Sequence, residues 1–311
     1  MVPTLLARQP VARLSSARFV FVSVIVLSIS AAVQPAGAQS LEPRKDLLKE
    51  LQPANAATSA APAQPADADD EAALDLAEPD FTVINTPTTM RLPLHKGNFH
   101  LTHRFLGNLR DGSFSDQAAN LFGLDQGAII GFEYRFAVMR HLEAAVYRTN
   151  LDKTFEFYGK YDAVHQHASM PLSASAIVSI EGGNNFKERY APALGVVVSR
   201  EVQDRLALYA APIWVHNSAA AAGADRDTFY VGIGGRVRIM PTVYVVSEVS
   251  PRLSGYAPGQ HEYGFGIEKR AGAHMFQLTF TNAFGTTFGH VARGGSPDSL
   301  YLGFNLARKF F

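Results

Sequence analysis

The sequence predicts an all-β fold: a transmembrane antiparallel up-and-down β-barrel of about 12 strands, preceded by a disordered N-terminal linker. Three observations support this prediction. The chain of 311 residues opens with the layout of an export signal. No long helical period occurs after Lys96, and the runs beyond that residue alternate between apolar and polar side chains.

The first 38 residues have the layout of a secretory signal peptide. Three arginines precede an apolar run over residues 19–33, and an A-x-A cleavage site ends at residue 38. A transmembrane helix needs about 20 apolar residues, so this run is short for a membrane anchor. We therefore predict that residues 1–38 are removed on export.

Residues 39–80 are predicted to be a disordered linker rich in alanine, proline and acidic residues. The segment carries ten acidic residues against three basic ones, and residues 53–70 contain almost no large apolar side chain. Such a composition buries too little apolar surface to offset the entropy lost on ordering. We expect a solvated periplasmic tail, and the alternative is a tether that holds a periplasmic partner.

The alternation that predicts the strands is clearest in two runs. In residues 126–136 the large apolar side chains share one face, whereas Glu133 and Arg135 share the other. In residues 228–239 valine and isoleucine alternate with glycine and arginine. Twelve runs are predicted as strands: 98–106, 126–136, 142–149, 153–163, 171–181, 190–200, 206–216, 228–239, 242–250, 262–269, 274–283 and 299–311.

The character of the second face indicates a membrane barrel rather than a soluble sandwich. That face is small, glycine-rich or charged, and the runs have about 9–13 residues, the length that a tilted strand needs to cross a bilayer. The chain ends in YLGFNLARKFF, an aromatic terminus of the kind found in barrels inserted by the barrel assembly machinery. Arg308 departs from the apolar face of this last run.

The lengths of the connections give an independent indication. Those at one end are short, whereas five of the six at the other end are long and rich in turn-forming residues; residues 150–152 are the exception. Bacterial barrels have an even number of strands, short periplasmic turns and longer extracellular loops. We therefore expect both termini of the barrel in the periplasm.

Composition excludes several classes of function. The chain contains no cysteine, which excludes disulfides, zinc–thiolate sites and iron–sulfur clusters. The formal net charge is zero, which argues against a nucleic-acid-binding protein. We therefore expect no cofactor and no structural metal.

Three stretches of the sequence resemble a known family. The likeness lies in RLPLHKGNFHLTHRF (91–105), LFGLDQGA (121–128) and LDKTFEFYGKYDAVHQ (151–166). These stretches are similar to the exported β-barrel family named domain of unknown function 5777, and the resemblance runs from about residue 84 to the end. It implies the fold and the location of the chain, and it implies no catalytic residue.

Charged side chains with inward parity, together with charged residues of the family-like motifs, are the candidate lumen or ligand residues. One interpretation is a polar path or a binding site for a small solute, and the other is a set of ion pairs that fill a narrow lumen. The candidates are Arg104, Asp125, Glu133, Arg135, Lys153, Glu156, Lys160, Asp162, Arg236, Arg238, Glu248 and Glu268.

The function predicted first is a passive channel or small-solute transport protein in the outer membrane. The alternative is a structural or binding barrel with a plugged lumen. A lipid hydrolase ranks third, because His216 and Ser218 have the spacing of a base and a nucleophile and are both expected on the lipid face. We otherwise predict no enzyme.

The expected location is the outer membrane of a Gram-negative-type bacterium, reached after cleavage of the signal peptide. The expected partners are outer-membrane lipid, the barrel assembly machinery and a small polar solute. We expect no nucleic acid among them.

Overall fold

The computed structural model describes residues 76–218 and 227–311. The predicted signal peptide, residues 1–38, lies outside the described residues, as do residues 39–75 of the predicted linker. Both therefore stay predictions.

Within the described residues the chain forms a closed antiparallel barrel of twelve strands, one of which is interrupted. The strands are β1 (Gly97–Asn108), β2 (Ala128–Met139), β3 (Leu142–Thr149), β4 (Phe155–Val164), β5 (Ser173–Gly182), β6 (Glu188–Val202), β7 (Leu206–Val215), β8 (Thr228–Met240), β9 (Val243–Ser250), β10 (Arg252–Ser254), β11 (Glu262–Ala271), β12 (His274–Thr281) and β13 (Tyr301–Lys309).

The topology is up-and-down, since each long strand pairs with its neighbours in the chain. The barrel closes through β1 and β13, where Phe99 lies opposite Arg308. The short strand β10 continues β9 beyond Pro251, and both pair with β8. Proline has no N–H to donate, which accounts for the interruption at this point. The twelve predicted strands are thus confirmed, with small differences at their ends.

The predicted facing of the strands is also confirmed. On β2, the side chains of Phe132 and Tyr134 are 50% and 45% exposed, whereas Glu133 and Arg135 are 7% and 2% exposed. Outward side chains are apolar along the wall and inward side chains are polar, as a lipid-facing band and a polar lumen require.

The two ends of the barrel differ, and we name them by their connections. The turn end carries the short connections, such as 140–141, 241–242 and 272–273. The loop end carries the long ones, including the β1–β2 loop and the β12–β13 loop. The loop end holds three short helices and two 3-10 turns: α1 (Phe114–Ala119), α2 (Gly183–Phe186), α3 (Phe288–Arg293), Leu121–Gln126 and Leu151–Lys153. Among the described residues, no helix has the length and apolar character to cross a bilayer.

Residues 76–92 form a hairpin inside the barrel, which we call the plug hairpin. Its turn is closed by the amide of Val83, which donates to the carbonyl of Thr86 over 2.8 Å. Its arms are joined by a bridge between Thr82 and Pro87. Phe81, Val83 and Ile84 are at most 1% exposed. This hairpin was not predicted.

The plug hairpin corrects the predicted boundary between linker and barrel. Residues 76–80 were assigned to the solvated linker 39–80, yet Ala77 and Asp80 are buried. The apolar sequence that follows, FTVIN, lies in the lumen, and residues 77–80 are buried with it because they adjoin it in the chain. The predicted barrel domain 81–311 therefore begins with a luminal segment, and its wall begins at Gly97.

We expect a charge on the lipid face to destabilise the barrel according to its depth. Ile233, in the middle of β8, is 48% exposed and faces outward. Ile233→Arg should lower the free energy of unfolding by about 2–4 kcal/mol, because the guanidinium enters the hydrocarbon. Ile239→Arg, near the turn end of the same strand, is the matched control and should cost about 0–1 kcal/mol. Urea unfolding in lipid vesicles, followed by the fluorescence of the single Trp214, measures both; equal losses would contradict the assigned depths.

Candidate functional site

The lumen is the candidate site, since it gathers most of the predicted residues. Nine of the twelve candidates are buried in it: Arg104, Glu133, Arg135, Glu156, Lys160, Asp162, Arg236, Glu248 and Glu268. Arg238 is half-buried at the turn end. Asp125 and Lys153 lie in 3-10 turns at the loop end, and both are exposed. Neither belongs to a strand, so no strand pleat directs its side chain into the lumen. The grouping of these two residues with the lumen is therefore corrected.

One group of luminal charges pairs across β2, β3 and β4. Arg135 contacts Glu133 at 2.6 Å and Glu143 at 3.1 Å. Lys160 contacts Glu143 at 3.5 Å and Asp162 at 3.6 Å. All five side chains are buried, and buried charges are tolerated when each has a partner of opposite sign.

A further ion pair joins β8 to β11, the two strands on either side of β9. Arg236 on β8 donates to both carboxylate oxygens of Glu268 on β11, over 2.6 and 2.9 Å. Gln277 donates to the same carboxylate over 2.6 Å. Neither Arg236 nor Glu268 is exposed, so each depends on the other for its charge partner.

The wall holds the plug hairpin through donors aimed at its main-chain carbonyls. Arg236 donates to Thr82 over 2.8 Å, and Lys160 donates to Met90 over 2.6 Å. Side chains of three further wall residues do the same: Gln277 to Val83, Asn305 to Ile84 and Lys309 to Pro79. These contacts engage main chain, so they depend on the shape of the hairpin more than on its side chains.

The tip of the plug hairpin sits on carboxylates. Glu248 on β9 accepts the amides of Ile84, Asn85 and Thr86 over 3.0, 2.9 and 2.9 Å. The side-chain amide of Asn85 donates to Glu262 over 2.5 Å. Three convergent N–H donors stabilise a buried carboxylate that has no cation of its own.

Phe81 of the plug hairpin lies among three cations. The ring centre is 4.7 Å from the guanidinium of Arg135 and 5.8 Å from the ammonium groups of Lys160 and Lys309. A desolvated cation is attracted to the face of an aromatic ring. Phe81 therefore links the hairpin to the ion-pair group of β2–β4.

A second segment enters the lumen from the loop end. Helix α3 belongs to the β12–β13 loop, and its residues Phe288 to Ala292 are buried. The amide of Phe288 donates to Glu156, and that of Gly289 donates to Glu181, each over 3.2 Å. Gly289 permits this approach, since a Cβ there would lie 2.2 Å from Glu181.

The plug hairpin and α3 leave little space between them. A cavity of about 40 Å³ lies there, bordered by Asn85, Arg135, Glu156 and Phe288. Such a volume accommodates a few water molecules at most. Between the plug hairpin and α3, the described residues thus leave no room for a solute much larger than water.

Several luminal residues were not among the candidates. Glu181 and Glu262 hold parts of the hairpin or of α3, and both have inward parity in their runs. Gln277, Asn305 and Lys309 are also inward, and period two locates them once their strands are aligned. Gln277 and Asn305 are neutral and Lys309 lies near the end of the chain, so a search of the sequence for clustered charged residues does not find them.

The predicted hydrolase geometry is wrong. His216 is exposed and contacts Asp227 at 2.6 Å, whereas Ser218 is buried and its hydroxyl contacts that of Thr228 at 2.7 Å. Asn217 between them has φ +57°, which ends the strand and turns Ser218 away from the face of His216. Among the described residues, no three His, Asp or Glu side chains are grouped to hold a metal ion.

Comparison with known proteins gives one family. The model of a family described as "Membrane bound beta barrel domain (DUF5777)" matches residues 80–310. No curated protein matches the chain.

The chain is also similar, at low identity, to several solved porin structures. The KdgM porin has 8% identity and a TM-score of 0.44, with 70% of this chain and 99% of the porin covered. The NanC porin has 7% identity and a TM-score of 0.45, with 68% and 100% covered. A mutant of the Rh. blastica porin has 11% identity and a TM-score of 0.32, with 58% and 55% covered.

We expect the Arg236–Glu268 pair to be costly to break from one side. Arg236→Leu leaves the Glu268 carboxylate buried without its cation and should lower the free energy of unfolding by about 3–5 kcal/mol. The double variant Arg236→Leu, Glu268→Leu removes both charges and should recover most of that loss. Urea unfolding followed by Trp214 fluorescence measures both, and a double variant as unstable as the single one would contradict the pairing.

We expect helix α3 to be held less stably in the lumen at acidic pH. Burial, together with nearby Arg293 and Arg189, holds the pKa of His290 well below its usual range. A group whose pKa is depressed in the seated state stabilises that state fully above its ordinary pKa of about 6.5 and progressively less below it. Hydrogen-exchange protection of residues 288–293 should therefore fall as the pH drops below about 6.5. His290→Gln should remove this dependence, and an unchanged profile in that variant would contradict the assignment.

Proposed function

This chain belongs to the DUF5777 family of membrane-bound β-barrel domains, and from that premise we propose that it is an outer-membrane channel for small polar solutes, closed by its own plug hairpin. The observation that carries the proposal is the way the hairpin is held. Five wall side chains donate to its carbonyls and Glu248 accepts three of its amides.

Hydrogen bonds of this kind are exchangeable with water. When the hairpin leaves, the charged side chains of Arg236, Lys160 and Glu248 exchange main-chain partners for water, at a net cost of about 1.5–3 kcal/mol for each bond. The wall behind the hairpin is polar, so its exposure to water is compatible with a hydrated path.

The wall is also shaped to receive the hairpin. On β8, a Cβ at Gly232 would lie 3.0 Å from the Thr86 hydroxyl, and a Cβ at Gly234 would lie 3.2 Å from Val83. The absence of side chains at these positions makes room for the hairpin. When the hairpin leaves, that space joins the lumen.

The charges favour cations as the solute class. Glu248 and Glu262 take their partners from the plug hairpin, and Glu156 and Glu181 take theirs from the α3 segment. The luminal arginines that have carboxylate partners keep them on the wall, as in the pair Arg236–Glu268. An emptied lumen would therefore present unpaired carboxylates, and such groups select permeant ions by sign.

The second candidate is a structural or binding barrel whose lumen is plugged permanently. The burial of Phe81, Val83 and Ile84 favours it, since apolar side chains stabilise the closed state in proportion to the area they bury. The lipid hydrolase is not proposed, because His216 and Ser218 do not share a face.

The two candidates are separated by single-channel recording in planar bilayers. A chain lacking residues 76–92 should conduct, and its reversal potential across a salt gradient should show cation preference. A locked chain supplies the matched control, since the protein contains no cysteine of its own. Thr86→Cys with Gly232→Cys joins the tip of the hairpin to the wall, because a Cβ at position 232 would lie within disulfide range of the Thr86 side chain.

The locked chain should stay closed when oxidised and open when reduced, at a frequency matching the unmodified protein. The conductance of either single cysteine variant should be the same under oxidising and reducing conditions. A truncated chain that folds, as judged by circular dichroism and heat-modifiable mobility, yet does not conduct would contradict the channel and favour the plugged barrel.

A further inference from the structure

Three arginines line one side of the barrel mouth at the turn end. The amide of Arg238 donates to the carbonyl of Arg205 over 2.7 Å, and the amide of Arg270 donates to the carbonyl of Thr242 over 2.8 Å, in the turn that follows β8. Arg205, Arg238 and Arg270 therefore occupy adjacent positions around the rim. We call them the arginine mouth.

The arginine mouth carries three positive charges. Within residues 76–218 and 227–311, no ion pair joins any of the three guanidinium groups to a carboxylate. The Nε atom of Arg270 is buried and lacks a hydrogen-bond partner there. An open pocket of about 240 Å³ lies between Arg205 and Arg238. Of the acidic residues nearby, Asp204 lies on the same turn as Arg205, and Glu201 lies at the end of β6.

The chain enters the lumen beside these arginines. The hydroxyl of Tyr244 donates to the carbonyl of Leu76 over 3.1 Å, at the first described residue of the plug hairpin. Tyr244 lies directly opposite Arg238 in the pairing of β8 and β9. Whatever precedes Leu76 in the chain is thereby tethered at the arginine mouth.

What precedes Leu76 is strongly acidic. Residues 67–75, DADDEAALD, contain five acidic residues, and no lysine or arginine occurs between Lys49 and Arg91. Asp75 is joined directly to Leu76. Asp67 lies nine residues away, which allows a reach of up to about 30 Å. The whole acidic stretch can therefore reach the mouth.

We propose that the arginine mouth binds the acidic segment 67–75 of the same chain. The segment is covalently attached at the mouth, so binding is intramolecular and each carboxylate is present at high effective concentration. Arginine presents a planar fork that suits carboxylates. The contact fastens the entering arm of the plug hairpin from outside, in addition to the hydrogen bonds that hold it from within.

The contact responds to salt. The arginines and the segment meet at the aqueous mouth, where the Debye length falls from about 10 Å at 0.1 M salt to about 3 Å at 1 M. High salt should therefore release the segment while the ion pairs inside the lumen, which are shielded from solvent, persist.

The absence of cysteine makes site-directed spin labelling direct. A label at Ala68→Cys lies in the acidic stretch and leaves all five carboxylates in place, and a label at Ser59→Cys in the same chain, upstream of the acids, is the matched control. In phosphatidylcholine vesicles at low salt, electron paramagnetic resonance should show a slow component at position 68 and none at position 59. Salt at 1 M should abolish the slow component.

Two sets of substitutions test the partners independently. Arg238→Gln with Arg270→Gln should abolish the slow component. Asp69→Asn, Asp70→Asn and Glu71→Gln should abolish it as well, and these changes leave every residue of the barrel wall in place. The combined variant should show no further effect, because both sets remove the same contact.

A fast label at position 68 in the unmodified chain would overturn the proposal, as would a slow component that survives both sets of substitutions. The measurement does not use conductance, so its outcome is separate from that of the proposed channel.

Discussion

Every charge in this barrel that cannot face water must find a partner inside the lumen. The outward face of the wall borders lipid, so the strands direct their charged side chains inward, where space is limited. Arg135 and Lys160 find a carboxylate on the neighbouring strand β3, and Arg236 finds one on β11, two strands away. Glu248 finds no cation and is matched by three main-chain amides of the plug hairpin. The hairpin thus completes the electrostatics of the wall.

The same requirement explains why the lumen is closed from two directions. The plug hairpin satisfies Glu248 and Glu262, whereas α3 and Arg293 satisfy Glu156 and Glu181. The two segments divide between them four carboxylates that form no ion pair with another wall residue in the described part of the chain. Among the described residues, a small cavity of about 40 Å³ lies between the two segments. In this arrangement, the contacts that fill the lumen are also the contacts that satisfy the carboxylates of the wall.

The wall could be predicted from the sequence because a membrane strand has a strict period of two. Residue pairs such as Phe132 and Glu133 alternate along a run, and that alternation fixes both the strand and its facing. The plug hairpin has no such pattern, since its arms are surrounded by wall on all sides and are held mainly through main chain. Asp125 and Lys153 were misplaced because short 3-10 turns replace the strand at their positions. Ser218 was misplaced because parity fails beyond a residue with positive φ, here Asn217.

The position of the plug hairpin in the chain has a consequence for assembly. The hairpin immediately precedes β1, but the residues that hold it lie 70 to 230 positions away, from Lys160 to Lys309. Contacts between residues so distant in sequence form late, because the intervening loop must close first. The last strand also closes the barrel against β1. The hairpin therefore has its full set of partners only when synthesis and strand pairing are complete, which makes its seating a marker of a finished barrel.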